Sequence, residues 1–222
     1  MGLPMPKIQN ETIHDLLLTN IKRELVMSLE EAMLVGAQRA YVASQGMNQG
    51  HLPSVVGHMR HFHMNEAFYL ALDIGGALPS PLRGNRIVTG KAGIFTLARF
   101  NTKYGDWNKG RRSEMRKQIS RVNAAIEPLV QPGLFSDYVE PSEAVAFIVA
   151  CFSESVGSHA MIPASIEIAV PDQHMRGWLF REPVQEFIKR YDPPLTIGQQ
   201  DLAVPKLKKY IETQEVKDGT KS

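Results

Sequence analysis

The break between residues 75 and 84 most constrains what this chain of 222 residues can fold into. Gly75 and Gly76 end a helical pattern, and Pro79 and Pro81 then prevent a regular helix, because proline lacks an amide hydrogen. Before the break, apolar residues recur at helical spacing; after it, β-branched segments alternate with helical ones. The pattern predicts an α+β fold in which helices dominate: an N-terminal helical unit, then a small antiparallel sheet packed by an amphipathic basic helix.

Three helices are predicted before the break. Asn10 is the expected cap of the first helix, and Ser28 with Glu31 forms a capping-box pattern for the start of the second. Gly46 is the expected stop of the second helix. The third helix is predicted over residues 54–74. Its expected apolar face is Met59, His63, Ala67, Leu70 and Ile74.

Short segments with strand character follow the break. Residues 86–89 and 94–100 are β-branched and aromatic, and the glycines between them predict a hairpin. The apolar run 144–152 fits either a buried strand or a buried helix, and its alanines favour a helix. Residues 165–170 alternate with isoleucine and predict a strand, and Pro183 opens a short amphipathic helix.

The remaining helix after the break is the best defined in the sequence. Its apolar residues repeat every three or four positions, as on one face of a helix. They are Met115, Ile119, Val122, Ile126 and Leu129, and Pro132 with Gly133 is the expected end. The arc of this helix that faces away from the apolar residues holds Arg112, Arg116, Lys117 and Arg121. The helix is therefore predicted to be amphipathic and basic.

The organisation predicted for the chain is a single domain, 1–222, of ordinary globular composition with 43% hydrophobic residues. A possible subdivision separates a helical unit, 1–76, from an α+β unit, 84–205, followed by a charged C-terminal helix and tail, 206–222. No apolar run is long enough to predict a membrane span, so we expect no membrane partner. Cys151 is the only cysteine, which excludes an intrachain disulfide and favours a reducing cytoplasm.

Charge is unevenly distributed along the chain. Residues 99–121 contain eight basic and two acidic residues, a net charge of +6, so the rest carries −4 of the total of +2. Cationic side chains neutralise phosphates and aromatic rings can stack on unpaired bases. We therefore predict a surface for nucleic acid or another polyanion, without sequence specificity. The alternatives are an ordinary solvated helix face and a site for a small phosphorylated ligand. The candidate residues are Arg99, Lys103, Tyr104, Trp107, Lys109, Arg111, Arg112, Arg116, Lys117 and Arg121, with Tyr104 and Trp107 as stacking candidates.

Two carboxylates are the first to consider if the protein also cuts nucleic acid. Metal-dependent nucleases place acidic residues at strand ends. Glu167 lies in the predicted strand 165–170 and Asp172 directly follows it. The alternative is that Glu167 faces solvent on an exposed side of the sheet. Ordinary ion-pair and packing partners for it are available nearby in Arg176, Trp178 and Arg181. The sequence leaves open whether the protein is an enzyme.

A histidine cluster supports a second hypothesis from a different class, a small-molecule enzyme. Imidazole and carboxylate ligands at short spacing can bind a divalent metal such as zinc. The cluster consists of His58, His61, His63 and Glu66. One helix presents only two of these side chains to one ion, since 100° separates successive residues. The leading hypothesis needs no cofactor, whereas this alternative needs a divalent metal.

A third hypothesis is an oligomeric scaffold without a ligand. In that case the apolar faces of the N-terminal helices would form the interface between copies of the chain. A homo-oligomer is also compatible with nucleic-acid binding.

Overall fold

The computed structural model describes residues 12–130, 141–153 and 160–192. The helices are α1 (Ile13–Asn20), α2 (Arg23–Ala43), α3 (Leu52–Ile74), α4 (Glu114–Ser120) and α5 (Val184–Lys189). The strands are β1 (Leu78–Pro79), β2 (Thr89–Ala92), β3 (Phe95–Lys103), β4 (Ala144–Phe152), β5 (Ser165–Pro171) and β6 (Trp178–Pro183). Short 3₁₀ helices cover Trp107–Arg112, Arg121–Ala125 and Glu127–Leu129. The predictions on Asn10, Pro132, Gly133 and 206–222 lie outside the described residues.

The six strands form one sheet in the order β1-β2-β3-β4-β5-β6. Strands β3 and β4 are parallel, and the other neighbouring pairs are antiparallel. A parallel pair needs a long crossover, and here the crossover carries α4 and the 3₁₀ helices. The predicted α+β class, with N-terminal helices before a sheet, is confirmed, and the sheet is mixed rather than wholly antiparallel.

Apolar side chains pack on both faces of the sheet. The larger core joins one face to α1, α2, α3 and α5, and the smaller core lies on the opposite face beside α4 and the crossover. Because successive side chains of a strand point to opposite faces, β4 contributes to both cores. Ile148 belongs to the larger core and Phe147 to the smaller one.

Residues 144–152 form strand β4, so the helix that their alanine content favoured is wrong. All nine of its residues are buried. A strand covered on both faces reads as an unbroken apolar run, because neither face is left for polar residues. Such a run has no period that distinguishes it from a buried helix. The predicted strand over 165–170 and the short helix after Pro183 are confirmed as β5 and α5.

The N-terminal helices begin at other residues than predicted. Thr12 caps α1: its backbone N–H donates to the Asp15 carboxylate at 3.0 Å, and its hydroxyl accepts from the Asp15 N–H at 3.4 Å. Helix α2 begins at Arg23, so the start predicted at Ser28 is wrong. Leu25 and Val26 are buried in the larger core, and their packing extends the helix one turn before Ser28.

Helix α3 confirms the helix predicted over 54–74, but its buried face differs from the predicted one. Leu70 and Ile74 are 50% and 82% exposed, whereas Met64 and Phe68 are fully buried. Helix α2 crosses α3 closely at Gly36, where a Cβ atom would lie 2.7 Å from the Cα atom of Met64. Packing against α2, and not the apolar pattern alone, selects the buried face.

A hairpin is present, as predicted, but its first strand is Thr89–Ala92, so the strand predicted over 86–88 and the turn predicted over 90–92 are wrong. Strands β2 and β3 are joined by the two residues Gly93 and Ile94, since Ala92 pairs with Phe95. Gly93 has φ +55°, which favours glycine. The Asn20 side chain accepts a hydrogen bond from the Ile94 N–H at 3.0 Å and so attaches the turn to the end of α1.

The amphipathic basic helix is shorter than predicted. Helix α4 ends at Ser120, and 3₁₀ helices replace the rest of the expected helix. The buried Asn123 side chain accepts from the Val145 N–H at 2.7 Å and donates to the carbonyls of Val145 at 3.1 Å and Pro171 at 2.7 Å. These three bonds hold the crossover against β4 and β5. The predicted apolar stripe still packs in part, because Ile126 is buried while Met115 is 46% exposed.

Within the described ranges, no helix is both long enough and apolar enough to cross a membrane.

Candidate functional site

An opening at the edge of β3 forms the candidate site. Strand β2 begins at Thr89, which pairs with Ala98, so β2 does not extend along the rest of β3. A pocket of about 340 Å³ lies there, between α3, β3 and α4. We call it the Arg99 pocket. It is lined by Gly57, His61, Asn65, Asn85, Ile87, Arg99, Phe100, Asn101, Ser113 and Arg116.

Arg99 is a buried cation without a carboxylate partner in the described structure. Its side chain is oriented by three neutral acceptors, and the residue is 5% exposed. Nε donates to Asn65 Oδ1, Nη1 to Asn101 Oδ1 and Nη2 to the carbonyl of His61, each at 2.9 Å. Burial lowers the pKa of Arg99 to about 9, so the guanidinium is still protonated at neutral pH. Arg99, one of the candidates for the nucleic-acid surface, thus lies in a pocket.

Arg116 is the second cation of the pocket. Its Cζ atom lies 4.6 Å from the centroid of the Phe100 ring, a cation–π contact. The side chain is partly buried, and Nε is buried with no hydrogen-bond partner among the described residues. Burial also lowers the pKa of Arg116. Two arginines thus line one pocket in which no described Asp or Glu takes part.

The hydrogen bonds around Arg99 identify which ring nitrogen of His61 carries the hydrogen. Asn65 uses Oδ1 to accept from Arg99, so its Nδ2 group is the donor in the 3.2 Å contact with His61 Nε2. That nitrogen therefore carries no hydrogen, and Nδ1 carries it in the neutral ring. Burial, and then the charges of Arg99 and His58, lower the pKa of His61 and favour the neutral form.

Two further pockets adjoin the Arg99 pocket. One, of about 360 Å³, shares Ile87 with it and is lined by Arg83 and Arg86. The other, of about 450 Å³, shares His61 and Asn85 with it. We call the three together the arginine groove. Its cations are Arg83, Arg86, Arg99 and Arg116, and no described carboxylate lines it.

A separate pocket of about 400 Å³ involves other residues of the basic segment. We call it the basic cleft. It is lined by Arg111, Arg112, Lys117, His174 and Arg176. Lys117 is paired with the exposed Glu114 at 2.8 Å, whereas the described structure shows no ion pair for the three arginines. The loop from β5 to β6 supplies His174 and Arg176, which lie outside the predicted basic segment.

Asp172 shapes that loop. Its carboxylate accepts hydrogen bonds from the backbone N–H groups of His174 at 2.8 Å, Arg176 at 3.0 Å and Gly177 at 2.6 Å. Met175 has φ 54° and is fully buried in the smaller core, which anchors the loop. Asp172 thus holds the backbone that presents His174 and Arg176 to the basic cleft.

Glu167, the other carboxylate considered for nuclease chemistry, is 8% exposed. Arg181 donates to it through Nε, and Ser165 donates at 3.4 Å. The interpretation that Glu167 faces solvent is therefore wrong: its side chain is buried, and it pairs with Arg181 between β5 and β6. The two carboxylates therefore have different partners: Glu167 joins two strands of the sheet, and Asp172 holds the loop.

The aromatic candidates differ in their surroundings. Trp107 packs against Trp178, with ring centroids 3.6 Å apart, and belongs to the smaller core. It is therefore not free to stack on a base. Tyr104 is 67% exposed at the end of β3, and Lys103 and Arg121 are exposed as well. The side chain of Lys109 lies outside what the structure describes.

The histidine cluster is spread along α3. His58 Nδ1 donates to the carbonyl of Ser54 at 2.8 Å, and His63 Nδ1 lies 3.6 Å from the Glu66 carboxylate. His61 lies in the Arg99 pocket instead. The described residues contain no group of three or more histidine, cysteine or acidic side chains that could hold a metal ion. The divalent-metal alternative therefore has no support in this part of the chain.

Sequence reasoning missed several residues of the groove and cleft. Arg83 lies in the break, where proline and glycine dominate the local pattern, and Arg86 begins the segment 86–89 that was predicted as a strand. Asn65 and Asn101 carried no signal, because a single asparagine within a predicted helix or strand is not a motif. Their role in orienting Arg99 is visible only in the folded structure, where α3 packs beside β3 and both amides accept from the guanidinium.

Comparison with protein-family models gives no match for this sequence, and comparisons with curated proteins and with solved structures give none either.

Proposed function

We propose that the protein binds nucleic acid through the basic cleft and the exposed part of the arginine groove. One observation carries the proposal: arginines line both surfaces, and no described carboxylate lines either of them. Arginines without a described ion pair can pair with phosphates instead, and nucleic acid that binds them gains affinity by releasing its condensed counterions.

Helix α4 lies between the two surfaces. Met115, Ile119 and Arg116 face the groove, whereas Lys117 lines the cleft. A helix with its side chains is about 10–12 Å across, which corresponds to roughly three nucleotides at 3.4 Å per residue of a strand. A strand that crosses α4 can therefore contact phosphate-binding side chains on both sides.

The phosphate contacts expected from this geometry are Arg111, Arg112, Arg116 and Lys117, joined by Arg83, Arg86 and Arg176. Arg121 is exposed but lines neither surface, so its contact stays a prediction of the sequence. Tyr104 is the stacking candidate, because its ring is exposed. Phosphate contacts position a protein on nucleic acid but do not select bases. The proposal is therefore affinity without sequence specificity. It is limited to binding, because Glu167 and Asp172 both have structural partners.

The test is a binding titration of the full chain with labelled single- and double-stranded DNA and RNA at several salt concentrations. We expect affinity to fall linearly with salt on a double logarithmic plot. Changing Arg112, Arg176 and Lys117 together to Ala should weaken binding. The slope for duplex DNA should become shallower by about 0.9 for each phosphate that the variant no longer neutralises.

A matched control removes three exposed cations from other parts of the surface. Lys22, Arg39 and Lys91 are exposed and line neither the groove nor the cleft. Their combined change to Ala removes the same charge and should leave the slope nearly unchanged. Absence of binding at low salt would overturn the proposal, as would equally weakened binding in the two triple variants. Self-association and a cytoplasmic location stay predictions of the sequence.

A further inference from the structure

We propose that the Arg99 pocket binds a phosphomonoester, the terminal phosphate of a nucleotide or of a nucleic-acid end, between the guanidinium groups of Arg99 and Arg116. The inference does not depend on binding of nucleic acid to the basic cleft, because inorganic phosphate alone tests it. It rests on the charge, the depth and the donor groups of the pocket.

The charge of Arg99 is not compensated within the described structure. A guanidinium has five N–H donors, and three of them are used by Asn65, Asn101 and the His61 carbonyl. Two N–H groups, one on each Nη atom, are left for a ligand. A buried charge without a counter-charge is costly, and an anion in the pocket would offset that cost.

The other lining groups are also donors. Arg116 has a buried Nε–H without a described partner. Asn101 uses its Oδ1 for Arg99, which leaves its NH₂ group, and neutral His61 has the Nδ1–H. A fully ionised phosphate has only acceptor oxygens, so a lining of donors matches it in chemistry as well as in charge.

The depth of the pocket selects a terminal phosphate over one inside a strand. Arg99 is 5% exposed and its guanidinium donates to Asn65 and His61 of α3, so a group that contacts it must enter the pocket. A phosphate inside a strand is substituted on two sides, whereas a monoester has one substituent, which can extend through the opening. A monoester also carries about −1.5 to −2 charges at pH 7, which two arginines neutralise.

The first measurement is calorimetric titration of the full chain with inorganic phosphate at constant ionic strength, together with thermal unfolding. Phosphate should bind and raise Tm, because a ligand of the native state stabilises it by mass action. Arg116→Met keeps an apolar side chain over Phe100 and removes the charge. We expect it to weaken phosphate binding about 10- to 100-fold, the effect of removing a charge-assisted hydrogen bond.

Arg39→Met is the matched control, because Arg39 is an exposed arginine of α2 that lines none of these pockets. Its affinity for phosphate should equal that of the original chain. An Arg99 variant can fail to fold, since three hydrogen bonds depend on that side chain. Arg116 is only partly buried, so its variant keeps the proposal testable.

Two further ligands identify the source of the phosphate. An oligonucleotide with a 5′-phosphate is compared with the same oligonucleotide ending in a hydroxyl, and a mononucleotide is titrated in parallel. A preference for the phosphorylated oligonucleotide that Arg116→Met removes indicates a nucleic-acid end. Equal affinity for the mononucleotide and the phosphorylated oligonucleotide indicates a small ligand. Either result supports a phosphomonoester site.

Other outcomes overturn the inference. Failure of phosphate to bind at millimolar concentration would do so, as would equal affinity of Arg116→Met and the original chain for phosphate. The triple variant of the basic cleft separates this proposal from the proposed function. It should lose affinity for long nucleic acid and keep that for inorganic phosphate, whereas Arg116→Met should lose phosphate binding.

Discussion

Arg99 Nε donates to Asn65 Oδ1 at 2.9 Å, and this buried bond links β3 to α3. Asn65 orients the guanidinium without cancelling its charge, because an amide is neutral. A carboxylate of the same size at this position would form an ion pair instead. The choice of amide over carboxylate leaves the Arg99 pocket positively charged.

The first prediction concerns that choice. Asn65→Asp supplies Arg99 with a counter-charge at nearly unchanged shape, but it replaces the Nδ2 donor to His61 with an oxygen, so the His61 ring must carry its hydrogen on Nε2. The variant should therefore change the Tm of the ligand-free protein little, because these two effects oppose each other. It should also weaken phosphate binding at least tenfold, because the added carboxylate offsets one positive charge of the pocket. Thermal unfolding with and without inorganic phosphate measures both effects.

Asn65→Ala is the comparison for that variant. It removes the acceptor and leaves the Arg99 Nε–H buried without its partner, which should lower the free energy of unfolding by about 1–3 kcal/mol. Unchanged phosphate binding in Asn65→Asp would contradict the assignment of the pocket as an anion site.

The second prediction is a pH dependence that originates at His61. Its pKa is lowered in the folded protein by burial, by Arg99 and by His58, from the ordinary value of 6.5. As pH falls below about 6.5, the unfolded chain takes up the proton first, so the contribution of His61 to stability is lost as pH falls towards the folded pKa. At higher pH the contribution is fully present.

His61→Gln tests this prediction, because glutamine does not titrate. Urea unfolding midpoints measured on both sides of pH 6.5 should fall less on acidification in the variant than in the original chain. Identical pH dependence in the two proteins would show that other groups cause the decrease in stability.

The third prediction compares two helical glycines. A Cβ atom at Gly36 would lie 2.7 Å from the Met64 Cα atom, so Gly36→Ala should force α2 and α3 apart. We expect the free energy of unfolding to fall by roughly 1–3 kcal/mol. At Gly57 a Cβ atom would meet nothing within 4 Å, so Gly57→Ala should stabilise α3 by about 0.5–1 kcal/mol. Denaturant unfolding measures both, and equal effects would refute the close helix approach.

The fourth prediction concerns Cys151. It is fully buried in β4, and burial, followed by the charge of Glu167, raises the pKa of its thiol. A thiolate is the reactive form, so Cys151 should react with a soluble thiol reagent only after unfolding. Rapid labelling of the native protein, measured by mass spectrometry, would show that β4 is accessible.

Local patterns in the sequence predicted the elements whose signal is local. Helix α3 was predictable from its length and its glycine stop. The hairpin was predictable only in outline, because Gly90 of the predicted turn lies inside β2. Strand β4 was not, because a run buried on two faces has no periodicity to read. The end of α4 at Ser120 was not either, since it depends on bonds from Asn123 to two distant strands.

The candidate site divides in the same way. The concentration of positive charge in residues 99–121 follows from the sequence directly, because charge is a property of composition. How each cation is used follows from the tertiary structure instead. The fold buries Arg99 against α3, places Arg116 in the same pocket, and packs Trp107 into the core against Trp178. Each of these arrangements depends on residues far apart in the chain, whose distances the folded backbone sets.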